Sequence, residues 1–240
     1  MKKFIIIPCY NEFENINIIL DKINKCKIKD LIVVIVDDSK ISFKEKIKFH
    51  DFNVIYLHRK KKGGRGSAVI FGIKYVLKNF KNIKIIIEMD ADMSHNPKEL
   101  NNNIEYFKTQ NLDLLISSRY MRTSKILNWS LKRKILSFLS NKLSKFLLKV
   151  PVSDYTNGYR IYSLQAAKFI STNCGKIGDG YIVLSEILLQ LYYNNFIIGE
   201  IDTIFVNRVR GTSNVNFIEI LKSLLGLYKI WKIKLKLNRF

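Results

Sequence analysis

At 240 residues the chain suits one large α/β domain, and 48% hydrophobic residues supply a full core. A net charge of +21 points to polyanionic partners, an anionic membrane, nucleic acid or a polyanionic substrate, although AT-rich coding toward Lys, Ile and Asn also contributes. Cys9, Cys26 and Cys174 are odd in number and outside any C-x-x-C spacing, which argues against disulfides and structural zinc and for a reducing compartment.

In chain order, the first β-rich run is "KFIIIP" over residues 3–8. It stops at Pro8, too short for a secretory leader, and no stretch approaches the ~18 apolar residues of a membrane span. The chain is therefore expected in the cytosol. A helix follows over Glu12–Lys25, with Phe13, Ile16, Ile19, Leu20 and Ile23 on one face. Strands are predicted at 31–38, 53–58, 83–90 and 112–118. Between them a helix runs from Gly66 to Leu77, and another opens at Asn96-Pro97, where Asn can cap and Pro suits the first helical position. Near-continuous apolar strands alternating with helices predict a mostly parallel sheet covered on both faces.

Beyond residue 120 the texture changes to basic amphipathic segments. Leu127–Val150 repeats Leu131, Ile135, Leu139, Leu143 and Phe146 at helical spacing among lysines, and a similar segment begins at Phe217. Trp129 and Trp231 lie in these segments, as anchors at a membrane interface would. No linker separates the halves, so one domain spans 1–240, with a sheet-forming half over residues 1–120 and a basic amphipathic half over residues 121–240.

In parallel α/β sheets ligands bind beyond the carboxyl ends of the strands. "PCYNE" (8–12), Asp37-Asp38 and Asp90-Ala91-Asp92 all fall on that edge. Most D-x-D sequences are capping acids in loops, but two carboxylates directly after the buried run "IIIEM" suit a metal–diphosphate complex. Hard cations such as Mg²⁺ take one or two carboxylates and complete their shell with phosphate and water. Asp37-Asp38 reads either as turn residues or as acceptors for a ribose or base. Gly63-Gly64-Arg65-Gly66 opens a helix and could meet an anion, yet an ordinary loop is the better reading.

The ordered strings "PCYNE", "VDDS", "MDADMSHNP", "SSRYM", "NWSLKRKILS", "SDYTNGYRIY" and "FVNRVRGTSN", from about residue 4 to 228, resemble the dolichyl-phosphate mannose synthase group of inverting GT-A polyprenyl-phosphate glycosyltransferases. The resemblance implies a Rossmann-like GT-A fold with helices on both sheet faces, in which residues 1–120 form the nucleotide-sugar-binding half and residues 121–240 the half that faces the acceptor and membrane. It implies nucleotide contacts at Pro8, Tyr10 and Glu12, base and ribose contacts at Val36 and Asp38, and a nucleotide-sugar segment at Asp90, Ala91 and Asp92. By the same likeness Asp90, Asp92 and Ser94 hold Mg²⁺ or Mn²⁺, and Arg119 and Arg208 hold phosphates, which with Asp92 makes them the catalytic set. Two departures stand out. The D-D-G-S loop is "DDSK" here, and Asn214 replaces a phosphate-contacting lysine; Arg210 reads either as a restored charge or as a solvated arginine of a basic chain.

The activity implied is inverting transfer of a hexose, mannose from GDP-mannose in the first place, to a polyprenyl or dolichyl phosphate. Glucose from UDP-glucose, or an inactive nucleotide-sugar-binding subunit, is the alternative. An acceptor phosphate is already mostly dianionic at pH 7, with a second pKa near ~6, so no general base is required. His50 and His58 read as surface residues and His95 as a cap on the Asp92 loop. A lipid acceptor implies peripheral attachment at the cytosolic face of a membrane and leaves room for a small membrane subunit. Nucleic-acid binding is disfavoured, since the basic residues alternate with Leu and Ile rather than with exposed stacking aromatics.

Overall fold

The computed structural model describes residues 1–48, 50–207 and 217–237, with backbone alone for 217–222. Strands β1 (Lys2–Cys9), β2 (Leu31–Asp37), β3 (Asn53–His58) and β4 (Ile83–Glu88) alternate with helices α1 (Phe13–Asn24) and α2 (Arg65–Asn79). After β4 come a short 3₁₀ turn at Pro97–Glu99, α3 (Leu100–Thr109) and β5 (Leu114–Ser118). Asn96 caps that turn by accepting from Lys98 N–H, as its position before Pro97 predicts.

The second half supplies β6 (Lys125–Leu127), α4 (Leu131–Leu148), β7 (Arg160–Ser163), α5 (Leu164–Asn173), α6 (Ile182–Tyr193), β8 (Ile198–Asp202), β9 (Ile204–Val206) and α7 (Phe217–Leu237). The main sheet has the order β3-β2-β1-β4-β7-β5-β8, and β6 pairs with β9 in a separate ribbon. All neighbours in the main sheet are parallel except β7, which runs antiparallel between β4 and β5. β7 is four residues long, too short to declare itself by periodicity. Its reversal has a local consequence: pairing of Arg160 with Glu88 brings loop 153–159 to the carboxyl edge of β4.

Side-chain alternation sorts the sheet into two cores. Phe4, Ile6, Val34, Val36 and Ile86 pack against α2, α5, α6 and α7, whereas Ile5, Ile7, Val33, Ile35 and Ile87 pack against α1 and α3. Each such fully buried aliphatic side chain stabilises by roughly 1.5–3 kcal/mol, and the central strands β1, β2 and β4 carry charge only within two residues of their ends.

Helix α4 departs from that rule. Its buried positions are Asn141, Ser144 and Leu148, while Leu131 is 74% exposed and Phe146 76%. Ile135, Leu139 and Leu143 are exposed as well, so the apolar face turns away from the sheet. Trp129 does not share it. Its indole is buried, with the Arg133 guanidinium 4.0 Å and the Arg119 guanidinium 5.6 Å from the ring centroid and Phe205 edge-on at 5.4 Å. Trp231 is half-buried against the core beside Tyr228. The tryptophans are therefore packing residues rather than interfacial anchors. His50, read as a surface residue, is buried against Phe52 within 3.7 Å of Asp21.

Candidate active site

The carboxyl ends of β1, β2 and β4 open onto a cleft of about 310 Å³. Of the residues expected there, Pro8, Tyr10, Glu12, Asp38, Asp90, Ala91 and Asp92 line it, joined by Cys9, Lys62, Gly64, Arg65, Ala68 and Tyr181. Tyr10 stands exposed at the rim with Lys62 Nζ 3.5 Å over its ring. Glu12 leads into α1 and accepts from Asn15 Nδ2 at 2.6 Å.

The two acids after β2 do different things. Asp37 is fully buried and accepts from Tyr56 Oη and from both the N–H and Oγ of Ser39. Ser39 Oγ in turn accepts from Asn11 N–H, so the "DDSK" turn closes on serine without the family's glycine. Burial and the Asp37 carboxylate push the Tyr56 phenol up to about 12. Asp38 pairs with Arg59 through Nε at 2.5 Å and Nη2 at 2.7 Å and accepts the amides of Gly63 and Gly64. Gly64 sits at φ +82°, where an added Cβ would come within 2.7 Å of Asp179 O, so the glycine is obligatory there. The amides of Gly66 and Ser67 donate to Asp179 O. The start of α2 is thus closed by the chain itself rather than open to an anion. Val36 is a core residue beside α2 and does not reach the cleft, because its side chain points to the opposite side of the pleat.

Asp90 and Asp92 lie in the turn that follows β4, not on the strand end as predicted. Asp90 Oδ1 accepts from Arg65 Nε at 2.8 Å, and its own N–H donates to His95 Nδ1 at 3.0 Å. Because Nδ1 accepts, the imidazole proton sits on Nε2 and is donated to Asn157 Oδ1 at 3.0 Å. Burial holds the His95 pKa below the ordinary value despite Asp90 and Asp92 nearby. Ser94 N–H donates to Asp92 Oδ1 at 3.1 Å, while the buried Ser94 Oγ has no hydrogen-bond partner among the described residues.

That donor set fits a divalent cation in one way only. Among the described residues no three Asp, Glu, His or Cys side chains converge on a point. Two cleft carboxylates and an orphaned hydroxyl still suit a Mg²⁺ or Mn²⁺ ion whose remaining ligands are phosphate and water.

Arg119 is elsewhere. Its Nε and Nη2 each lie 2.7 Å from Asp154 carboxylate oxygens, and Nη2 also donates to Thr156 Oγ1 at 2.6 Å. Its guanidinium packs near Trp129 and Phe205, and it is not among the residues that line the cleft. Arg208, Arg210 and Asn214 lie outside the described residues. The cleft cations that sequence reasoning passed over are Lys62 and Arg65, the latter hidden among glycines taken for an ordinary loop. Its Nη1 donates to Glu88 Oε1 at 2.5 Å, and Nη2 lies 2.6 Å from Asp90 Oδ1.

A mostly parallel sheet with one reversed strand and an acidic cleft at its carboxyl edge defines a GT-A-like fold. Residues 4–170 match the family model described as glycosyl transferase family 2, and the chain belongs to that family. It is 29% identical over 242 residues to a polyprenol monophosphomannose synthase of Mycolicibacterium smegmatis, covering 99% of this chain and 89% of the relative. It is also 29% identical to an undecaprenyl-phosphate mannosyltransferase of Micrococcus luteus, covering 90% of this chain and 88% of the other. Among solved structures, glucosyl-3-phosphoglycerate synthase from Mycobacterium tuberculosis, in complex with Mn²⁺, UDP and phosphoglyceric acid, superposes with a TM-score of 0.65. That match, at 17% identity over 96% of this chain and 78% of the other, is a likeness of fold.

Proposed function

We propose that this glycosyltransferase moves a hexose, mannose from GDP-mannose in the first place, onto a polyprenyl phosphate with inversion at the sugar. The charge of the cleft carries the reading. Although the chain is +21 overall, the cleft is lined by Glu12, Asp38, Asp90 and Asp92 against Lys62 and Arg65, and with Arg59 paired to Asp38 and Glu88 paired to Arg65 the described acids outnumber the cations by five to three. Such a cleft repels a bare diphosphate and accepts one that arrives with a divalent cation. The names of the two mannosyl-transferring relatives support the acceptor class.

In this reading Pro8, Tyr10 and Glu12 frame the nucleotide, while Asp90 and Asp92 hold the end of the cleft where sugar and diphosphate meet. Asp92, with Ser94 behind it, is the metal carboxylate. When bound, the cation supplies Lewis-acid neutralisation of the departing diphosphate. No side chain has to remove a proton, because the phosphate nucleophile is already anionic near pH 7. His95 agrees with this: both its ring nitrogens are engaged in holding the Asp90 turn. Direct attack on the face opposite the diphosphate inverts the anomeric centre.

The outward apolar face of α4, with Lys132, Arg133 and Lys134 at its start, seats the enzyme on a bilayer where the acceptor's prenyl chain stays. Among the described residues no helix is long and apolar enough to cross a membrane, and the contact proposed is peripheral. A small membrane subunit is the other occupant of that face, and vesicle flotation of the chain alone separates the two. The assay of function is direct. The chain is incubated with Mn²⁺, polyprenyl phosphate and labelled GDP-mannose or UDP-glucose, and label is sought in the lipid phase. Label from GDP-mannose supports the reading, label only from UDP-glucose replaces the donor, and no label from either refutes transfer to the lipid.

A further inference from the structure

The geometry points to Lys62 as a side chain that meets the phosphates of the bound nucleotide, swinging to them from a rest position over the ring of Tyr10. This inference rests on the nucleotide-sugar reading above. Lys62 ends the run Lys60-Lys61-Lys62, which in a chain of +21 reads as ordinary basic surface. The fold singles out one of the three. Lys60 and Lys61 do not line the cleft, whereas Lys62 does, together with Tyr10. The Lys62 ammonium lies 3.5 Å over the Tyr10 ring.

The root of this side chain is fixed from both directions. Three residues before it, Arg59 grips Asp38 through Nε at 2.5 Å and Nη2 at 2.7 Å. Directly after it, the amides of Gly63 and Gly64 donate to Asp38 Oδ2 at 2.9 and 3.1 Å. Asp38 is itself buried at the end of β2, so the loop hangs from the sheet while the exposed Lys62 side chain can turn. Arg65, the other cation of the lining, donates to Glu88 and Asp90, whereas among the described residues no carboxylate pairs with Lys62. A cation over a partly exposed ring is held weakly, and a charge-assisted bond to phosphate is the stronger contact. A nucleotide entering the cleft therefore draws Lys62 off the ring.

The test is binding of GDP and UDP by the full chain with Mn²⁺ present, by isothermal titration calorimetry at low and at high salt. The nucleotide that wild type binds tighter is then carried to the variants. Lys62→Met keeps the length of the side chain without its charge. It should bind about tenfold or more weaker, with a smaller salt dependence, since one charge-assisted contact is lost. Lys62→Arg keeps the charge and should stay within about threefold of wild type, and Lys61→Met within about twofold. All these side chains are exposed, so the substitutions leave the fold intact. Lys62→Met within about twofold of wild type overturns the inference, as does an equal loss in Lys61→Met or in Lys62→Arg. A loss in Lys62→Met whose salt dependence matches wild type overturns it too. Wild type that binds nucleotide but moves no label to the lipid refutes the proposed transfer, and the variants still decide the role of Lys62. Wild type that binds neither nucleotide refutes the nucleotide-sugar reading and this inference with it.

Discussion

Removing the Asp154 carboxylate tests how Arg119 is held. Asp154 is fully buried and accepts from Arg119 N at 3.0 Å, from its Nε and Nη2 at 2.7 Å each, and from the amides of Thr156 and Asn157. Asp154→Ala leaves a guanidinium buried without its counter-ion, which costs about 3–5 kcal/mol in such pairs. For a chain of this size each kcal/mol lowers Tm by about 2–4 °C, so a fall of about 6–20 °C is expected. Thermal melts by circular dichroism at pH 7 measure it. Acid supplies a second check. Burial raises the Asp154 pKa, but the charge and hydrogen bonds of Arg119 outweigh burial and leave it lowered. A depressed folded value means that the stabilisation is present above the unfolded value near ~3.9 and is lost as pH falls through the folded one. The gap between wild type and variant should therefore narrow below about pH 4. Arg119→Met should also lower Tm, whereas an arginine kept only for phosphate would leave Tm unchanged. A fall of less than about 2 °C for Asp154→Ala, as surface pairs give, would refute the buried-pair argument.

Asp92→Asn should cut transfer by about a hundredfold or more at unchanged Tm, because the cleft then lacks its metal carboxylate. Label transfer within tenfold of wild type at saturating Mn²⁺ would remove Asp92 from that role. Flotation should show binding to anionic vesicles that weakens with salt, as exposed charges are screened beyond ~10 Å at 0.1 M. Leu139→Glu with Phe146→Glu should abolish it, and undiminished binding would show that α4 is not the contact. Burial raises the pKa of Cys9, Cys26 and Cys174 alike, but Cys26 alone is partly exposed. A thiol reagent should therefore modify one equivalent of the native chain, and a second equivalent without unfolding would contradict the packing around Cys9 or Cys174.

Much of the fold was legible in the sequence because β-branched runs and helical periodicity are local signals. The strands at 31–37, 53–58 and 83–88 and helices α1 and α2 fall within a few residues of their predicted bounds. The acids on the ligand edge followed from the same logic, since a parallel α/β sheet puts the ends of its strands on one side. What pairs with those acids was not legible. Asp38 meets Arg59 and Arg119 meets Asp154 across 21 and 35 residues. The four-residue β7 brings the loop bearing Asp154, Asn157 and Gly158 beside β4, and nothing local in "YRIYS" announces that. The exposure of α4 and the burial of Trp129 have the same cause. Periodicity shows that a helix has an apolar face, but only the packed neighbours decide whether that face turns to the core or to the outside. Pattern and composition determined the elements of the first half, the two basic amphipathic segments and the acidic edge. Long-range pairing alone decided that Arg65 sits among the cleft acids while Arg119 pairs with Asp154 away from them.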